Sequence, residues 1–191
     1  SHRRAAAAIS AGHFKGQIVP VELKTKKGPV MFDTDEHVRR DAKPEDFAKL
    51  RPAFKKDGTV TAGNASGIND AGAAVVLMEA GAAARAGVKP LARLVAYAHA
   101  GVEPHIMGEG PIPAVQKVFQ KAGLKPADMD VIESNEAFAV QAMTVTKQLG
   151  LDPARVNPNG GAVALGHPIS ATGAILTVKC LYELQCTGGK Y

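Results

Sequence analysis

The chain has no tryptophan, little aromatic side chain of any kind and no long apolar run. Aromatic residues make up 5% of its 191 residues, and cysteine occurs only twice. No segment approaches the roughly 18 consecutive apolar residues that a membrane span needs, so a membrane protein is not expected. Two cysteines cannot build a disulfide framework, which makes a reducing compartment, the cytoplasm, the expected location. The 46% hydrophobic content is still enough for a core.

Positive charge is concentrated in the first third of the chain. Residues 1–60 contain 13 Lys or Arg and 8 Asp or Glu, whereas residues 61–191 contain 10 of each. A basic stretch most often lies on a solvated face, and nucleic acid is the usual alternative partner. Aromatic residues do not alternate with these charges and no nucleic-acid-binding motif is present, so a nucleic-acid partner is not expected.

Strand-like and helix-like patterns alternate along most of the chain, which indicates an α/β fold. Residues 34–63 are polar and interrupted by proline and glycine, so we expect a loop-rich region suited to ligand contacts. Helices are expected over residues 3–14, 80–86, 112–122, 136–149 and about 169–185, and strands over residues 18–23, 73–78, 91–99 and 129–133.

Residues 157–168 form a glycine-rich segment that places one histidine between a glycine and a proline. Asn, Gly and Pro restrict the turns that this backbone can form, so the imidazole of His167 should point in one direction. A lone histidine in a turn is more often structural than catalytic, and its role depends on its partners. His167 is therefore a candidate base that needs a second group.

Residues 130–139 supply a possible second group. A short apolar run there is typical of the end of a strand, and Asn135 lies where the chain turns toward a helix. Asn135 either caps that helix or contacts a ligand, because ligands bind at strand ends in α/β folds. Glu136 is expected to stabilise the start of the same helix through its charge.

Four motifs occur in an order and spacing that resemble the thiolase family, of the acetyl-CoA acetyltransferase or broader β-ketothiolase type. The resemblance extends over the whole chain and implies a layered αβαβα fold, incomplete in this chain. It assigns residues 1–68 to the later part of the CoA-binding loop domain, 69–90 to the closing strand and helix of the N-terminal half, and 91–191 to most of the C-terminal half. The motifs are Gly63–Asp70, Asn135–Phe138, Asn159–Gly161 and Gly166–Pro168.

The resemblance implies an acyl-CoA C-acyltransferase that catalyses thiolysis of a 3-oxoacyl-CoA or the reverse Claisen condensation of acetyl-CoA with an acyl-CoA. His167 would activate a nucleophilic cysteine, and Asn135, through an ordered water, would polarise the thioester oxygen of the incoming acyl-CoA. Coenzyme A is then a substrate that also accounts for the basic surplus, and neither a cofactor nor a metal is expected. The positions that match CoA-contacting residues of the family are Arg39, Leu50, Ser66, Ala137 and Phe138.

Two of these assignments have structural alternatives. Ser66 would bond an amide of the pantetheine arm, but it could equally be an ordinary turn serine. Phe138 would line the pantetheine tunnel together with Ala137, yet on a helix face it would serve core packing at least as well.

Thiolases use two cysteines that this chain does not match. The resemblance implies that the chain begins after the nucleophilic cysteine and stops before the acid/base cysteine, so on its own it is expected to be inactive. Cys180 lies in an apolar helical pattern and is expected to be a small core residue. Cys186 imitates the family's Cys-x-Gly motif, but it falls in the turn after the helix and receives no role.

Two other functions remain open at this point. The chain could be a non-catalytic CoA-binding or oligomerisation piece, or part of a thiolase-like acyltransferase acting on another thioester. The resemblance also implies a homodimer or homotetramer, with the remaining parts of the thiolase chain as partners.

Overall fold

The computed structural model describes all 191 residues. None of its helices is both long enough and apolar enough to cross a membrane. Two short 3-10 helices, Pro104–Glu109 and Pro126–Asp128, accompany the regular elements. The regular helices and strands are α1 (His2–Ala11), β1 (Val21–Thr25), β2 (Gly28–Phe32), α2 (Pro44–Phe47), α3 (Ala80–Arg85), α4 (Pro111–Ala122), α5 (Ala139–Gln148), α6 (Ala162–Leu165) and α7 (Ile169–Thr187).

The helices with the clearest sequence signals form where the sequence predicts them. Helix α4 begins at Pro111, which suits the first helical position because its missing N–H would have no partner there. Helix α7 spans 19 residues and includes the whole predicted range. Helix α1 is shorter than expected and ends at Ala11.

Strands β1 and β2 form an antiparallel hairpin in which Val21 pairs with Phe32 and Thr25 with Gly28. The predicted bounds, 18–23, were wrong because Pro20 has no N–H to donate, and the strand starts after it. The hydroxyl of Thr25 donates to the carbonyl of Gly28 at 2.7 Å and closes the turn.

The hydrophobic core lies around α5. Four buried residues contact one another there, and three half-buried residues from α4 and the Ile132 segment pack on them. Burial of such side chains stabilises the fold by roughly 1.5–3 kcal/mol each. The buried four are Val145, Leu149, Leu151 and Val156, and the half-buried three are Ile112, Val115 and Ile132.

The strands predicted over residues 73–78 and 91–99 are not formed. A strand requires a hydrogen-bonded neighbour, and neither segment makes a backbone-to-backbone hydrogen bond. Their apolar side chains are exposed instead: Val76 is 90% exposed, Leu77 79% and Leu94 67%. The apolar patterns of these two segments indicated side chains that are normally buried, but no strand of this chain pairs with either segment.

Exposed apolar surface of this extent leads to a prediction about the chain on its own. We expect residues 1–191 in isolation to bind a hydrophobic dye such as ANS and to melt broadly or aggregate, because apolar side chains and unpaired backbone favour association. Dye fluorescence and differential scanning calorimetry measure this. A sharp, reversible transition without dye binding would contradict it.

Helix α5 begins three residues later than predicted, at Ala139, and its N-cap is Phe138. Asn135 is therefore not the cap of this helix, and Glu136 does not lie in its first turn. The reason is pairing with a distant segment: the N–H of Ser66 donates to the carbonyl of Ala137 at 3.0 Å, and the N–H of Ala139 donates to that of Asn64 at 2.8 Å. These bonds hold the intervening backbone extended.

Candidate active site

Two short segments lie side by side and bring the site together. Ile132 and Val156 form one parallel bridge, which is all that remains of the strand predicted over 129–133. The N–H of Ile132 donates to the carbonyl of Arg155 at 2.9 Å, and the N–H of Asn157 donates to the carbonyl of Ile132 at 2.8 Å. Asn135 follows the first segment and the glycine-rich loop follows the second.

The structure brings Asn135 and His167 into contact. Asn135 Nδ2 lies 3.2 Å from His167 Nε2, and both side chains are partly buried. The oxygen of the same amide, Asn135 Oδ1, is buried without a hydrogen-bond partner. A buried, unpaired acceptor is costly, so this oxygen is suited to receive a hydrogen bond from a water or a ligand.

Thr172 determines which ring nitrogen of His167 carries the proton. The Thr172 hydroxyl donates to the carbonyl of Pro168 at 2.9 Å, which uses its only proton. Its oxygen lies 2.8 Å from His167 Nδ1 and with this arrangement accepts there, which agrees with the donor Nδ2 of Asn135 facing Nε2. Nδ1 carries the hydrogen, and the lone pair of Nε2 faces the Asn135 amide. This is the tautomer that a base acting through Nε2 requires.

Two glycines allow the loop to approach its neighbours closely. An added Cβ at Gly161 would lie 2.3 Å from Glu136 Cδ, and one at Gly166 would lie 2.3 Å from Asn69 Oδ1. Gly166 also has a φ of 92°, which side chains rarely allow. Glu136 Oε2 accepts from the N–H of Val163 at 3.1 Å, so this carboxylate stabilises the first turn of α6 rather than that of α5.

Asn157 connects the loop to the segment that carries Asn135. The residue is 3% exposed, its Oδ1 accepts from the N–H of Ser134 at 2.8 Å, and its Nδ2 donates to the Ser134 carbonyl at 2.8 Å. The N–H of His167 adds a bond to the carbonyl of Gly67 at 2.9 Å. Both partners of the Asn135–His167 contact are thus fixed through their backbones.

Four of the five predicted CoA-contacting residues lie on or against residues 63–67, a path of contacts that ends at the Gly67 carbonyl, which accepts from the N–H of His167. The Ser66 hydroxyl donates to the carbonyl of Ala137 at 3.1 Å, and the ring of Phe138 packs against that of Phe54 with centroids 6.3 Å apart. Phe138 therefore lies neither on a face of α5 nor in the core. Leu50 is 39% exposed and lies against Gly63, where an added Cβ would be 2.7 Å from its Cδ1.

Arg39 lies near this path, but its side chain is free. It is exposed, and only its backbone N–H makes a hydrogen bond, to Nδ1 of His2 at 3.2 Å. The rings of His2 and His37 are 6.5 Å apart, and His37 borders Gly67. Arg39 is thus two positions along the chain from His37, which borders the Gly67 that holds the backbone of His167.

Neither cysteine of the chain forms a hydrogen bond with the ring of the candidate base. Cys180 is half-buried, Cys186 is exposed, and both are free thiols. Burial, with a further contribution from the charge of Glu133, raises the pKa of the Cys180 thiol. A thiol with a raised pKa is a poor nucleophile at neutral pH, so Cys180 fits the role of an inert, partly buried residue better than that of a reactive one.

Several residues of the site were not identified from the sequence. Thr172 could have been found from its place in the first turn of the helix after the His167-Pro168 pair. Asn157 carries a weak signal, because asparagine before proline in a glycine-rich segment is typical of a turn. In the structure it is the one non-glycine residue with a positive φ, 47°, a conformation that asparagine tolerates. Glu133 and Lys179, which form a buried ion pair, are too far apart in the sequence to be recognised as partners.

Two family models together match nearly the whole chain. The family model described as "Thiolase, N-terminal domain" matches residues 1–81, and that described as "Thiolase, C-terminal domain" matches residues 88–191. The chain belongs to the thiolase family. Its curated relatives include the beta-ketothiolase of Cupriavidus necator, 65% identical over 100% of this chain and 49% of that protein. An acetyl-CoA acetyltransferase of Allochromatium vinosum is 55% identical over 97% of this chain and 47% of its own length.

Solved structures confirm the thiolase fold. The acetyl-CoA acetyltransferase of Bacillus anthracis superposes with a TM-score of 0.95 at 50% identity, covering 98% of this chain and 48% of that one. Human mitochondrial 3-ketoacyl-CoA thiolase in complex with CoA superposes with a TM-score of 0.89 at 42% identity, covering 98% and 46%. This thiolase chain spans about half the length of the relatives it matches.

Proposed function

We propose that the full-length protein containing this chain is an acyl-CoA C-acyltransferase that cleaves 3-oxoacyl-CoA with CoA or condenses acetyl-CoA with an acyl-CoA. The single observation that carries the proposal is the 3.2 Å contact between Asn135 Nδ2 and His167 Nε2, with the tautomer set by Thr172. The names of the relatives support the same reaction class. Coenzyme A enters as a substrate, and no separate cofactor is required.

In this reaction a thiolate attacks the substrate carbonyl and an oxyanion develops. His167 Nε2 takes the proton of a cysteine thiol that another part of the polypeptide supplies, since neither sulfur of this chain hydrogen-bonds to the ring. Asn135 and an ordered water, held in part by the unpaired Oδ1, polarise the thioester oxygen of the incoming acyl-CoA. Without that cysteine and an acid/base cysteine, residues 1–191 would not turn over.

The CoA site is proposed along the path from Leu50 through Ser66 to Ala137 and Phe138. The Ser66 hydroxyl proton is already donated to the backbone, so its oxygen is left to accept a hydrogen bond from a pantetheine amide. Arg39 has a free guanidinium, which suits a phosphate of the nucleotide. We also propose that the protein is a homodimer or homotetramer. We place it in the cytoplasm, where two unpaired cysteines would stay reduced.

The test uses a chimeric thiolase, in which residues 1–191 replace the matched segment of the Cupriavidus necator protein. We expect CoA-dependent cleavage of acetoacetyl-CoA, which is monitored through the loss of the magnesium enolate absorbance. Rates with longer 3-oxoacyl-CoA substrates then measure the chain-length preference. A folded chimera that binds CoA but does not cleave would contradict the proposal and favour a non-catalytic CoA-binding role.

The Thr172 hydroxyl gives a prediction about the tautomer. In the chimeric thiolase, Thr172→Val removes the acceptor for Nδ1–H at nearly constant volume, and we expect kcat to fall on the order of tenfold because the ring is no longer fixed. Thr172→Ser keeps the hydroxyl and should retain most of the activity. Steady-state kinetics distinguish the two, and equal rates for both variants would contradict the assignment.

The two cysteines should differ in reactivity. In the folded chimeric thiolase at pH 7 we expect iodoacetamide to label Cys186 quickly and Cys180 only slowly, because burial shields the Cys180 thiol and raises its pKa. Peptide mapping by mass spectrometry measures each site. Labelling of Cys180 at the rate of Cys186 would show that its surroundings are open.

A further inference from the structure

A buried ion pair lies beside the two segments that carry Asn135 and His167. Glu133 Oε2 and Lys179 Nζ are 2.7 Å apart, and their side chains are only 3% and 6% exposed. The same ammonium group donates to the carbonyl of Gly160 at 2.7 Å. Glu133 precedes Asn135 by two residues, and Gly160 belongs to the loop that leads to His167. One ammonium therefore connects both segments.

Helix α7 supports the site at three points on one face. Thr172 and Lys179 are seven residues, or two turns, apart, so their side chains lie on the same side of the helix. Thr172 contacts the His167 ring, and Lys179 contacts the two segments. Glu183, one further turn along, accepts from Asn159 Nδ2 of the same loop. The helix thus sets the position of the loop relative to the ring.

Stability alone is a weak reason for this pair. Removing two charges from water costs about as much free energy as their attraction returns, and apolar residues of similar size usually stabilise a fold at least as well. Glu133 Oε1 is also buried without a partner, and burial raises the pKa of Glu133 against the opposing effect of Lys179. What apolar residues could not supply is the directional bond to Gly160.

We propose that Lys179 is a positioning residue for the acyl-transfer reaction: its ammonium, held by Glu133, fixes the Gly160 loop against the Asn135 segment and so maintains the approach of Asn135 to His167. The inference rests on the proposed function. In this role Lys179 acts through Gly160 and Glu133 and does not contact the substrate.

The test separates position from stability with a double variant of the chimeric thiolase. Lys179→Met alone leaves a buried carboxylate unpaired and should destabilise the protein, whereas Lys179→Met combined with Glu133→Leu removes both charges. For the double variant we expect a melting temperature close to that of the unmodified chimera, a kcat lower by on the order of tenfold or more, and a KM for CoA within about twofold. Lys147→Met, at an exposed lysine of α5, is the matched control and should change neither constant.

A second measurement does not depend on turnover. Diethyl pyrocarbonate modifies accessible neutral imidazoles, and we expect His167 to react several-fold faster in the double variant than in the unmodified chimera or in Lys147→Met, as mapped by mass spectrometry. Unchanged kcat and unchanged His167 reactivity in the double variant would overturn the inference, as would a kcat that simply follows the melting temperature across the variants. An unmodified chimera that is folded but inactive would count against the proposed function, while His167 reactivity would still decide the role of Lys179.

Discussion

Replacing His167 with alanine in the chimeric thiolase is expected to lower kcat by about 10³-fold or more, equivalent to roughly 4 kcal/mol of transition-state stabilisation. The expectation follows from the tautomer: Thr172 accepts from Nδ1–H, which leaves the Nε2 lone pair, facing Asn135 Nδ2, as the basic atom of the ring. Without the ring, the thiol that attacks the substrate stays protonated. Steady-state cleavage of acetoacetyl-CoA measures the loss.

The matched control is His105→Ala, at an exposed histidine in the 3-10 helix that precedes α4. It removes an imidazole that lies outside the candidate site and should leave kcat unchanged. Single-turnover release of CoA from acetyl-CoA adds the decisive detail, because His167→Ala should abolish the acylation burst itself. A variant that keeps a normal burst would remove His167 from nucleophile activation.

The sequence predicted local features well and non-local ones poorly. Helices α4 and α7 form from periodicity and end signals that lie within their own residues, so their bounds were nearly correct. The segments 73–78 and 91–99 were read as strands, but a strand is a property of a pair, and these segments have no neighbour. Composition can show that Val76 or Leu94 needs cover without showing what provides it.

The same distinction explains the site. His167 and Asn135 were both identified as candidates, and their contact could be inferred only through the family resemblance, since 32 residues separate them. Of the two roles left open for Asn135, the helix cap is not formed, because bonds with Ser66 and Asn64, far away in the sequence, hold the backbone at Phe138 extended and the helix begins only at Ala139. The Glu133–Lys179 pair, separated by 46 residues, has no local signal at all.

The second large effect is expected at Asn135. Asn135→Ala in the chimeric thiolase should lower kcat by about 10²- to 10³-fold, because the amide holds the water that donates to the developing oxyanion, and one such donor contributes roughly 3–4 kcal/mol. Asn135→Asp keeps the size of the side chain and an oxygen that can hold the water, but it replaces the N–H that faces His167 Nε2 and adds a negative charge beside the developing oxyanion, so it should lose as much. Near-UV circular dichroism shows whether both variants remain folded. This check matters most for Asn135→Ala, because the shorter side chain leaves a cavity in a partly buried site.

The kinetic step that is affected distinguishes Asn135 from His167. Asn135 is proposed to act on the thioester of the incoming acyl-CoA, so the burst of CoA release from the first acetyl-CoA should persist in Asn135→Ala while the following condensation slows. His167→Ala should lose both. If the burst falls as far as the condensation, Asn135 serves to hold the His167 ring instead, and the oxyanion must be stabilised by other donors. The unpaired Oδ1 favours the first outcome, because an acceptor buried beside the base is useful only when a water or substrate donor arrives there.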